Sequence, residues 1–329
     1  MHIDILLNPA GGAGSAERVW HSLEGEFRRP GISCTLHRST PERGIREICR
    51  ELTGGAVRPG NLLSGECAEP EGPASTTSPE PVNLVVIGGD GSCNEALNGI
   101  ADFANTRFGF LPCGTGNDLA RDLGLPKDLR MIAERILEGK VRRISDVGEV
   151  YFPDTGECRR FQISAGMGFD AEICQRVQCS PLKSLLNRLG LGKLIYPLEG
   201  VRVILSSRGA SIRVRTEQGE ELMEDCLAVT GMNRRYQGGG YPFCPKASDH
   251  DGQLDLCTIR GLSPLQLLMF IPVLKAGRHT QKRGVQTGRF REMELFSDRP
   301  LYIHTDGEVP GKSSHVILRL REEKLQMLV

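Results

Sequence analysis

The chain has 329 residues, 39% of them hydrophobic, which is long enough for two domains with sizeable cores. Its 41 lysines and arginines balance 41 aspartates and glutamates, so no overall field attracts nucleic acid, and we expect no nucleic-acid partner. No run approaches the roughly 18 apolar residues of a membrane-spanning helix, and the chain starts with a strand pattern rather than a cleavable leader. We therefore expect a cytoplasmic protein without a transmembrane segment.

The cysteine pattern agrees with that compartment. There are 11 cysteines, without a Cys-x-x-Cys pair or a metal-ligand spacing, and Cys93, Cys113 and Cys257 lie inside apolar stretches. Because disulfides need an oxidising compartment, we expect reduced thiols that pack as small core residues.

The first predicted element is a buried strand over Ile3–Leu7, with a glycine-rich loop over 8–16 and a helical pattern that runs to Arg28. The loop is not a P-loop, because no Gly-Lys-Ser/Thr follows it. It also misses the dinucleotide fingerprint, because Glu17 stands where that pattern needs a third small residue. These residues predict a glycine loop that feeds a helix, so nucleotide binding has to be argued from other segments.

Residues 54–81 interrupt the alternation of strand and helix patterns, which otherwise runs to about Gly139 and predicts a parallel α/β domain. The segment is rich in Gly, Pro, Ser, Thr and Glu, with Glu-Pro-Glu-Gly-Pro over 69–73 at its centre. Such a composition cannot bury enough apolar surface to order itself. We therefore predict a disordered loop insertion.

The most informative segment is the glycine-rich run Gly88–Glu95, which follows the apolar strand pattern Leu84–Ile87 and precedes helical spacing. In a strand, glycine turn and helix, the glycines let the backbone approach a polyphosphate, and the helix N-terminus binds its charge. Asp90 stands at the carboxyl end of the strand, where a carboxylate suits Mg²⁺, and Asn94 and Glu95 open the helix. The alternative is an ordinary βα turn, which the acidic and amide residues disfavour.

A second segment, residues 111–118, repeats this pattern after a strand pattern over Phe108–Leu111. It offers the Thr115 hydroxyl beside glycine backbone, followed by Asn117 and Asp118. A helix N-cap is the alternative role for either acidic residue of the two turns. Because two such residues follow two successive glycine turns, we favour a shared phosphate-handling site.

From Val141 the pattern changes to strand-like alternation and turns. Strands are predicted over 159–164, 201–206, 211–216, 225–230 and 254–259. Helical patterns over 182–198 and 262–277 interrupt them, each with prolines or glycines. A helix of this kind has three alternative roles: it docks on a membrane, lines an acyl pocket or packs in the core. We favour packing in the core. This half is expected to be mostly antiparallel β-structure.

Together these motifs resemble the diacylglycerol kinase catalytic family, which includes bacterial soluble lipid kinases and the sphingosine and ceramide kinases. The family's signatures are an Asn-Pro loop, a Gly-Gly-Asp-Gly-Thr-x-x-Asn-Glu core, a Pro-x-Gly-Thr-x-Asn-Asp-x-Ala-Arg segment and a late Asp-Gly-Glu. They stand here, in the same order across nearly the whole chain, as Asn8-Pro9, Gly88–Glu95, Pro112–Arg121 and Asp306–Glu308. Two departures are mild: Ser92 replaces a threonine, and Ala10-Gly11-Gly12 replaces the more usual Ser-Gly.

The resemblance implies a fold of two domains. Residues 1–140 would form an α/β nucleotide-binding domain with a parallel, NAD kinase-like sheet. Residues 141–311 would form a mainly antiparallel β-sandwich domain, and the last strands, at about 312–329, would return to the first domain. The nucleotide would lie in the cleft.

The resemblance also implies catalytic and metal-binding residues. Glu308 is expected to be the base that takes the proton of an alcohol, with Asp90 as a second catalytic residue. The family's metal loop is matched by Ser248, Asp251 and Gln253. A network of carboxylates and Mg²⁺ around the phosphates is expected from Asp90, Asp118 and Asp146.

A larger set of residues is expected to bind the nucleotide. Most lie in the three glycine-rich segments, with one threonine outside them. The set is Asn8, Pro9, Ala10, Gly11, Gly12, Thr40, Gly88, Gly89, Asp90, Gly91, Ser92, Cys93, Asn94, Glu95, Gly114, Thr115, Asn117 and Asp118.

The activity that the resemblance implies is an ATP- and Mg²⁺-dependent lipid kinase, which transfers the γ-phosphate of ATP to a lipid hydroxyl. Diacylglycerol, giving phosphatidic acid, is the expected acceptor, and a sphingoid base or a monoacylglycerol is the alternative. An NAD kinase is the nearest other enzyme, and a catalytically silent nucleotide-binding regulator is the alternative of a different class. We expect peripheral contact with the inner face of the membrane, and the protein as a monomer or a homodimer.

Overall fold

The computed structural model describes residues 1–9, 11–54, 80–182 and 195–329. Within them the chain forms two β-sheets and eight helices of at least five residues. The predicted insertion over 54–81 and the predicted helix over 182–198 fall mostly outside these residues, and so does Ala10.

The described elements are numbered along the chain. The strands are β1 (His2–Leu7), β2 (Ser33–Arg38), β3 (Val82–Gly88), β4 (Thr106–Pro112), β5 (Arg143–Ser145), β6 (Gly148–Phe152), β7 (Glu157–Phe161), β8 (Ser164–Gly168), β9 (Ala210–Thr216), β10 (Gly219–Met232), β11 (Leu254–Arg260), β12 (Val285–Phe290), β13 (Glu292–Thr305), β14 (Glu308–Leu320) and β15 (Leu325–Met327). The helices are α1 (Ser15–Phe27), α2 (Ile45–Thr53), α3 (Asp90–Gly99), α4 (Asp118–Asp122), α5 (Leu129–Leu137), α6 (Phe169–Cys179), α7 (Ile195–Ser206) and α8 (Pro264–Lys275). None of the described helices has the length and apolar character that crossing a bilayer requires.

The first sheet has the strand order β2-β1-β3-β4-β15-β5. All its strands are parallel except β5, which runs antiparallel at one edge. The apolar runs of β1 and β3 are buried in one core with residues of the helices, such as Trp20 and Phe27 of α1. The buried residues of α1 recur at intervals of three or four, which places them on one face. The predicted parallel α/β fold is confirmed.

The second sheet is antiparallel, with the order β12-β11-β10-β8-β13-β14-β6-β7. Strand β9 pairs with the first halves of both β10 and β13, whereas β8 pairs with their second halves. These four pairings close the sheet on itself around a core that includes Met167, Val229, Leu295 and Ile303. The predicted antiparallel, sandwich-like second part is confirmed.

Two predictions differ from the structure in detail. Residues 201–206, predicted as a strand, form the end of helix α7, because periodicity does not separate a short apolar β-branched run from a buried helix. Residues 312–320 stay in the second sheet as part of β14, where Val316 and Leu318 fill its core. Only β15 returns to the first sheet, where it lies between β4 and β5.

The predicted helix over 262–277 is α8. It begins with a capping box, in which Ser263 and Gln266 exchange side-chain and backbone hydrogen bonds, and Pro264 follows the cap. This local chemistry explains why so apolar a stretch starts a helix there.

A buried ion network joins the two sheets near helix α4. The fully buried Arg234 guanidinium lies 3.2 Å from the Asp122 carboxylate, at the end of α4, and 2.7 Å from the Asp249 carboxylate. Arg143 and Arg235 pair with these carboxylates from more exposed positions. Burial alone would raise the pKa of Asp249, but the Arg143 hydrogen bonds and the charge of Arg234 hold it well below its usual range. The network therefore fixes α4 against the second part of the chain.

Replacing Arg234 tests this network. Arg234→Met should lower the free energy of unfolding by roughly 2–4 kcal/mol, because two buried carboxylates lose a partner while Arg143 and Arg235 still neutralise part of their charge. The measurement is a urea titration followed by circular dichroism. Arg213→Met is the matched control, since Arg213 forms an exposed pair with Glu220 at 3.5 Å, and its effect should stay within about 0.5 kcal/mol. Equal effects of the two substitutions would contradict the proposed role of the network.

Candidate active site

The three glycine-rich segments meet at one edge of the first sheet. Strands β1, β3 and β4 are parallel neighbours, so their carboxyl ends and the loops that follow lie side by side. The Cys113 N–H donates to the Gly88 carbonyl at 2.8 Å, and the Ser15 hydroxyl donates to the Cys113 carbonyl at 2.8 Å. The structure thus brings together the segments that the sequence singled out.

Gly89 and Gly114 mark the closest approach of two of these loops. A Cβ atom on Gly114 would lie 2.6 Å from the Cα atom of Gly89, so no side chain fits without moving a loop. A Cβ atom on Gly116 would lie 3.1 Å from the Asp90 carboxylate. Glycine is therefore needed here for the packing of loop against loop.

The Asp90 carboxylate ties the two loops together. It accepts hydrogen bonds from the N–H groups of Asp118, at 3.0 Å, and Leu119, at 3.2 Å, which are the first residues of α4. Desolvation and the nearby charge of Asp118 raise the pKa of Asp90 to about 6. Both Asp90 oxygens are thus engaged by backbone donors, and the carboxylate caps the first turn of α4.

Asp118 reaches from this edge to the second part of the chain. Its buried carboxylate accepts a hydrogen bond from the Gly239 N–H at 2.7 Å and pairs with Arg121. Burial raises the pKa of Asp118 despite these donors. The loop over 238–240 has three successive glycines with φ of 66°, 85° and 90°, a conformation that favours glycine. Our sequence analysis missed this loop, although three consecutive glycines are a visible signal.

Asp306 holds the turn of the late Asp-Gly-Glu motif. Its carboxylate accepts hydrogen bonds from the N–H groups of Gln162, Ile163 and Ser164, at 2.9, 2.7 and 3.0 Å. The Asn94 side-chain amide donates to it at 2.9 Å. Asn94, predicted to bind nucleotide, is therefore engaged in joining α3 to this turn. Burial raises the pKa of Asp306 despite its donors.

Glu308 is exposed at the start of β14 and stands against the first turn of α3. A Cβ atom on Gly91 would lie 2.8 Å from the Glu308 Oε1 atom. On the other side, the Gln178 side-chain amide donates to Oε2 at 2.9 Å. A carboxylate at the N-terminus of a helix is stabilised by the helix dipole. The predicted base and the second glycine segment are thus neighbours in space, although more than 200 residues separate them.

The predicted metal loop lies elsewhere, beside β11. The Asp251 carboxylate pairs with Arg289 at 3.1 Å, and the Asp146 carboxylate pairs with Lys324 and accepts the Gly252 N–H at 2.9 Å. In this arrangement cationic side chains of the protein neutralise both carboxylates. Among the described residues no cluster of three His, Cys, Asp or Glu side chains suited to a metal is found. Ligand roles for Ser248, Asp251 and Gln253 stay a prediction.

The remaining predicted residues line the same edge or lie close to it. Asn117 has a φ of 49°, and its side chain and the Gly114 backbone exchange hydrogen bonds of 2.9 Å. Thr40 closes a short turn with Arg43 after β2, and the Asn8 carbonyl accepts the Gly11 N–H at 2.9 Å. Ser92 and Cys93 are buried in α3, whereas Thr115 and Glu95 are exposed.

Comparison with known proteins agrees with this geometry. A family model described as "diacylglycerol kinase catalytic domain" matches residues 73–150. A second, described as "YegS C-terminal NAD kinase beta sandwich-like domain", matches residues 163–329. A diacylglycerol kinase of Mycobacterium tuberculosis H37Rv is 26% identical, over 93% of this chain and 88% of that protein. A diacylglycerol kinase of Bacillus subtilis strain 168 is 27% identical, over 74% of this chain and 80% of that protein.

A solved structure shows the same fold. The crystal structure of a diacylglycerol kinase from Bacillus anthracis str. Sterne has a TM-score of 0.63, at 16% identity, over 99% of this chain and 96% of that one. The chain belongs to the diacylglycerol kinase family, so it is an enzyme of the kinase class. The family resemblance inferred from the sequence is confirmed.

The raised pKa of Asp90 predicts a pH dependence of stability. A folded-state pKa of about 6, above the value of about 3.9 for an unfolded aspartate, means that Asp90 contributes stability at low pH and loses it as the pH rises through 6. From pH 7 to pH 4.5 the wild type should therefore gain about 1–2 kcal/mol of unfolding free energy relative to Asp90→Asn.

Urea titrations at the two pH values measure this gain. Asp154→Asn, at an exposed turn, is the control, and its difference from the wild type should not change with pH. A difference between wild type and Asp90→Asn that stays constant, or falls, would show that Asp90 is already charged in the folded chain across this range.

Proposed function

We propose that the protein transfers the γ-phosphate of ATP to the hydroxyl of a lipid alcohol, with diacylglycerol as the acceptor and Glu308 as the base. The observation that carries the proposal is the place of the Glu308 carboxylate, against Gly91 in the first turn of α3. A base beside a phosphate-binding helix N-terminus is the arrangement that phosphoryl transfer to an alcohol needs. The names of the M. tuberculosis and B. subtilis relatives support diacylglycerol as the acceptor.

The donor is proposed to bind at the edge where the loops meet. Helix α3 begins after Gly89, which has no side chain to cap it, and we propose that N–H groups of its first turn bind phosphate oxygens. Asn8, Pro9 and the 114–117 loop border the same edge. These neighbours support the proposed nucleotide-binding set, apart from Asn94, whose amide is engaged by Asp306.

Mg²⁺ enters the proposal as part of the Mg·ATP substrate. The carboxylates of Asp118 and Glu308 border the site, so a bare polyphosphate would meet like charges there. A nucleotide that arrives with its divalent cation avoids this repulsion.

The proposed chemistry assigns the proton to one residue. Glu308 takes the acceptor's hydroxyl proton while the alcohol oxygen attacks the γ-phosphorus and the bond to the departing ADP oxygen breaks. Desolvation and the charge of Glu308 raise the pKa of Glu95, on the same helix as Gly91.

One labelling experiment separates this proposal from its alternatives. The protein is incubated with γ-labelled ATP, Mg²⁺ and micelles of diacylglycerol, monoacylglycerol or sphingosine, with NAD in a parallel reaction. We expect labelled phosphatidic acid. Label in another lipid would change the acceptor, label in NAD alone would show an NAD kinase, and no label in any reaction would favour a silent nucleotide-binding regulator.

A lipid acceptor also requires peripheral contact with a membrane, and we propose one surface for it. The α7–α8 face is formed by the exposed apolar residues of the two helices, which pack against each other. Its members are Leu198, Val201, Leu205, Leu265 and Met269. Leu265 and Met269, one turn apart on α8, are 67% and 69% exposed. An exposed apolar patch of this kind indicates an interaction surface.

Charge and position favour an anionic bilayer as the partner. Residues 262–284, which include α8 and the turn after it, contain four lysines and arginines and no aspartate or glutamate, although the whole chain is neutral. Arg278 and Lys282 line a recess of about 740 Å³ beside the end of α8. Basic residues next to an apolar helix face suit anionic lipids. The α7–α8 face also adjoins the site, because Lys275 of α8 donates to the carbonyls of Gly239 and Gly240, at 3.1 and 3.0 Å.

Glu308→Gln tests the base. The amide keeps the size of the side chain but cannot accept a proton, so kcat should fall by about 10²–10⁴ while the affinity for Mg·ATP changes little. Steady-state kinetics with diacylglycerol micelles and a direct nucleotide-binding titration measure the two effects. The control is Glu292→Gln, exposed at the far end of β13, which should retain wild-type kcat. A folded Glu308→Gln protein with nearly normal kcat would rule out this base.

A double substitution, Leu265→Ser with Met269→Ser, tests the α7–α8 face. It should weaken binding to vesicles of phosphatidylglycerol and phosphatidylcholine by about tenfold, because two large apolar side chains no longer enter the lipid. Turnover of a short-chain, water-soluble diacylglycerol should stay near wild type. Leu222→Ser, at a residue 55% exposed on β10, is the control and should bind vesicles normally. Unchanged vesicle binding of the double variant would reject this surface.

A further inference from the structure

The base proposed above is held by a helix whose residues the sequence motifs do not include. Gln178, half-buried in the last turn of α6, donates its side-chain amide to the Glu308 Oε2 atom at 2.9 Å. The same amide donates to the Gly307 carbonyl at 3.2 Å. One side chain thus binds both the carboxylate and the backbone that precedes it.

The other end of α6 holds the same turn through a buried histidine. Asp170, in the first turn of α6, lies 3.1 Å from the His304 Nε2 atom and accepts the Thr230 hydroxyl at 2.9 Å. Burial alone would raise the pKa of Asp170, but His304 and the hydrogen bond of Thr230 lower it. His304 is fully buried, and its Nδ1 atom accepts the Gly307 N–H at 3.4 Å. The N–H of Gly307 is therefore linked to the start of α6, and its carbonyl to the end.

Gly307 needs such support. Its φ of 88° is a conformation open mainly to glycine, and a glycine backbone moves easily when nothing restrains it. Glu308 follows directly, so any movement of Gly307 displaces the carboxylate from the first turn of α3. A displacement of about 1 Å is enough to slow a reaction that depends on alignment.

We infer that Gln178 is a positioning residue for catalysis: it orients the Glu308 carboxylate and, as a donor, favours its charged form. This inference rests on the proposed function, in which Glu308 is the base. Among the described residues, the titratable groups whose pKa values the charge of Glu308 helps to raise include Glu95 on α3, Cys174 on α6 and Tyr196 on α7. Gln178 is uncharged and its amide donates to Glu308 at 2.9 Å, so replacing it changes the field at Glu308 in a direction set by the charge of the new side chain.

The experiment compares three substitutions at two glutamines of α6. Gln178→Leu removes the donor, Gln178→Glu places a negative charge near Glu308, and Gln178→Lys replaces the amide by a charged donor. The controls are the same substitutions at Gln175, one turn earlier, whose amide donates to the Cys179 Sγ atom at 3.1 Å. Each full-length variant is assayed with Mg·ATP and diacylglycerol micelles from about pH 5 to about pH 9, to give kcat and the donor KM.

We expect opposite shifts from opposite charges. Gln178→Leu should lower kcat about fivefold to twentyfold, with the donor KM within about twofold. The acid limb of the kcat profile should move to higher pH in Gln178→Glu and to lower pH in Gln178→Lys, by about half a pH unit or more. A purely structural role would lower stability without moving that limb in opposite directions. Because Gln178 is only half-buried, these substitutions leave the core intact.

Glu308→Gln, assayed alongside, separates two failures. If that variant is inactive but the Gln178 series behaves like the Gln175 series, the positioning role is wrong and the base assignment stands. If Glu308→Gln is active, the base assignment itself is wrong. A limb that moves equally for both glutamines would also overturn the inference, since it would report only a general charge effect.

Discussion

The site depends first on one carboxylate, that of Asp90. It is the first residue of α3, yet it caps α4, because it accepts the N–H groups of Asp118 and Leu119. The two glycine loops that it bridges lie so close that Gly114 has no room for a side chain, and a Cβ atom on Gly89 would lie 3.2 Å from the Gly114 Cα atom. With the loops fixed, the N-terminal turn of α3 lies at this edge of the sheet, and a helix N-terminus can bind an anion through its backbone N–H groups.

The same edge is completed by the second part of the chain. Asp118 binds the Gly239 backbone, Asn94 binds Asp306, and Asp122 binds the buried Arg234. Each contact joins helix α3 or α4, which follow strands of the first sheet, to a segment that follows β8 in the chain. The carboxylates of Asp118, Asp122 and Asp306 therefore stabilise the structure. A substitution that removes one of them alters the geometry of the loops as well as the charge of the site.

Much of the fold could be predicted from the sequence, because it depends on local periodicity. The apolar runs of β1, β3 and β4, and the glycine turns after them, identified the parallel sheet and the edge where its loops meet. The same reasoning failed for residues 201–206, where a run of apolar β-branched residues is helical, and for residues 312–320, whose sheet is set by a distant partner. The residues at 55–79 lie outside the described part of the chain.

The sequence by itself determined which residue types line the glycine loops and that a late Asp-Gly-Glu accompanies them. Only the tertiary structure decided what each carboxylate contacts. Asp90 and Asp306 bind backbone N–H groups, Asp146 and Asp251 pair with Lys324 and Arg289, and Glu308 lies beside Gly91. The reason is that hydrogen bonds and ion pairs join residues far apart in the chain, whereas spacing in a sequence reports only what is near.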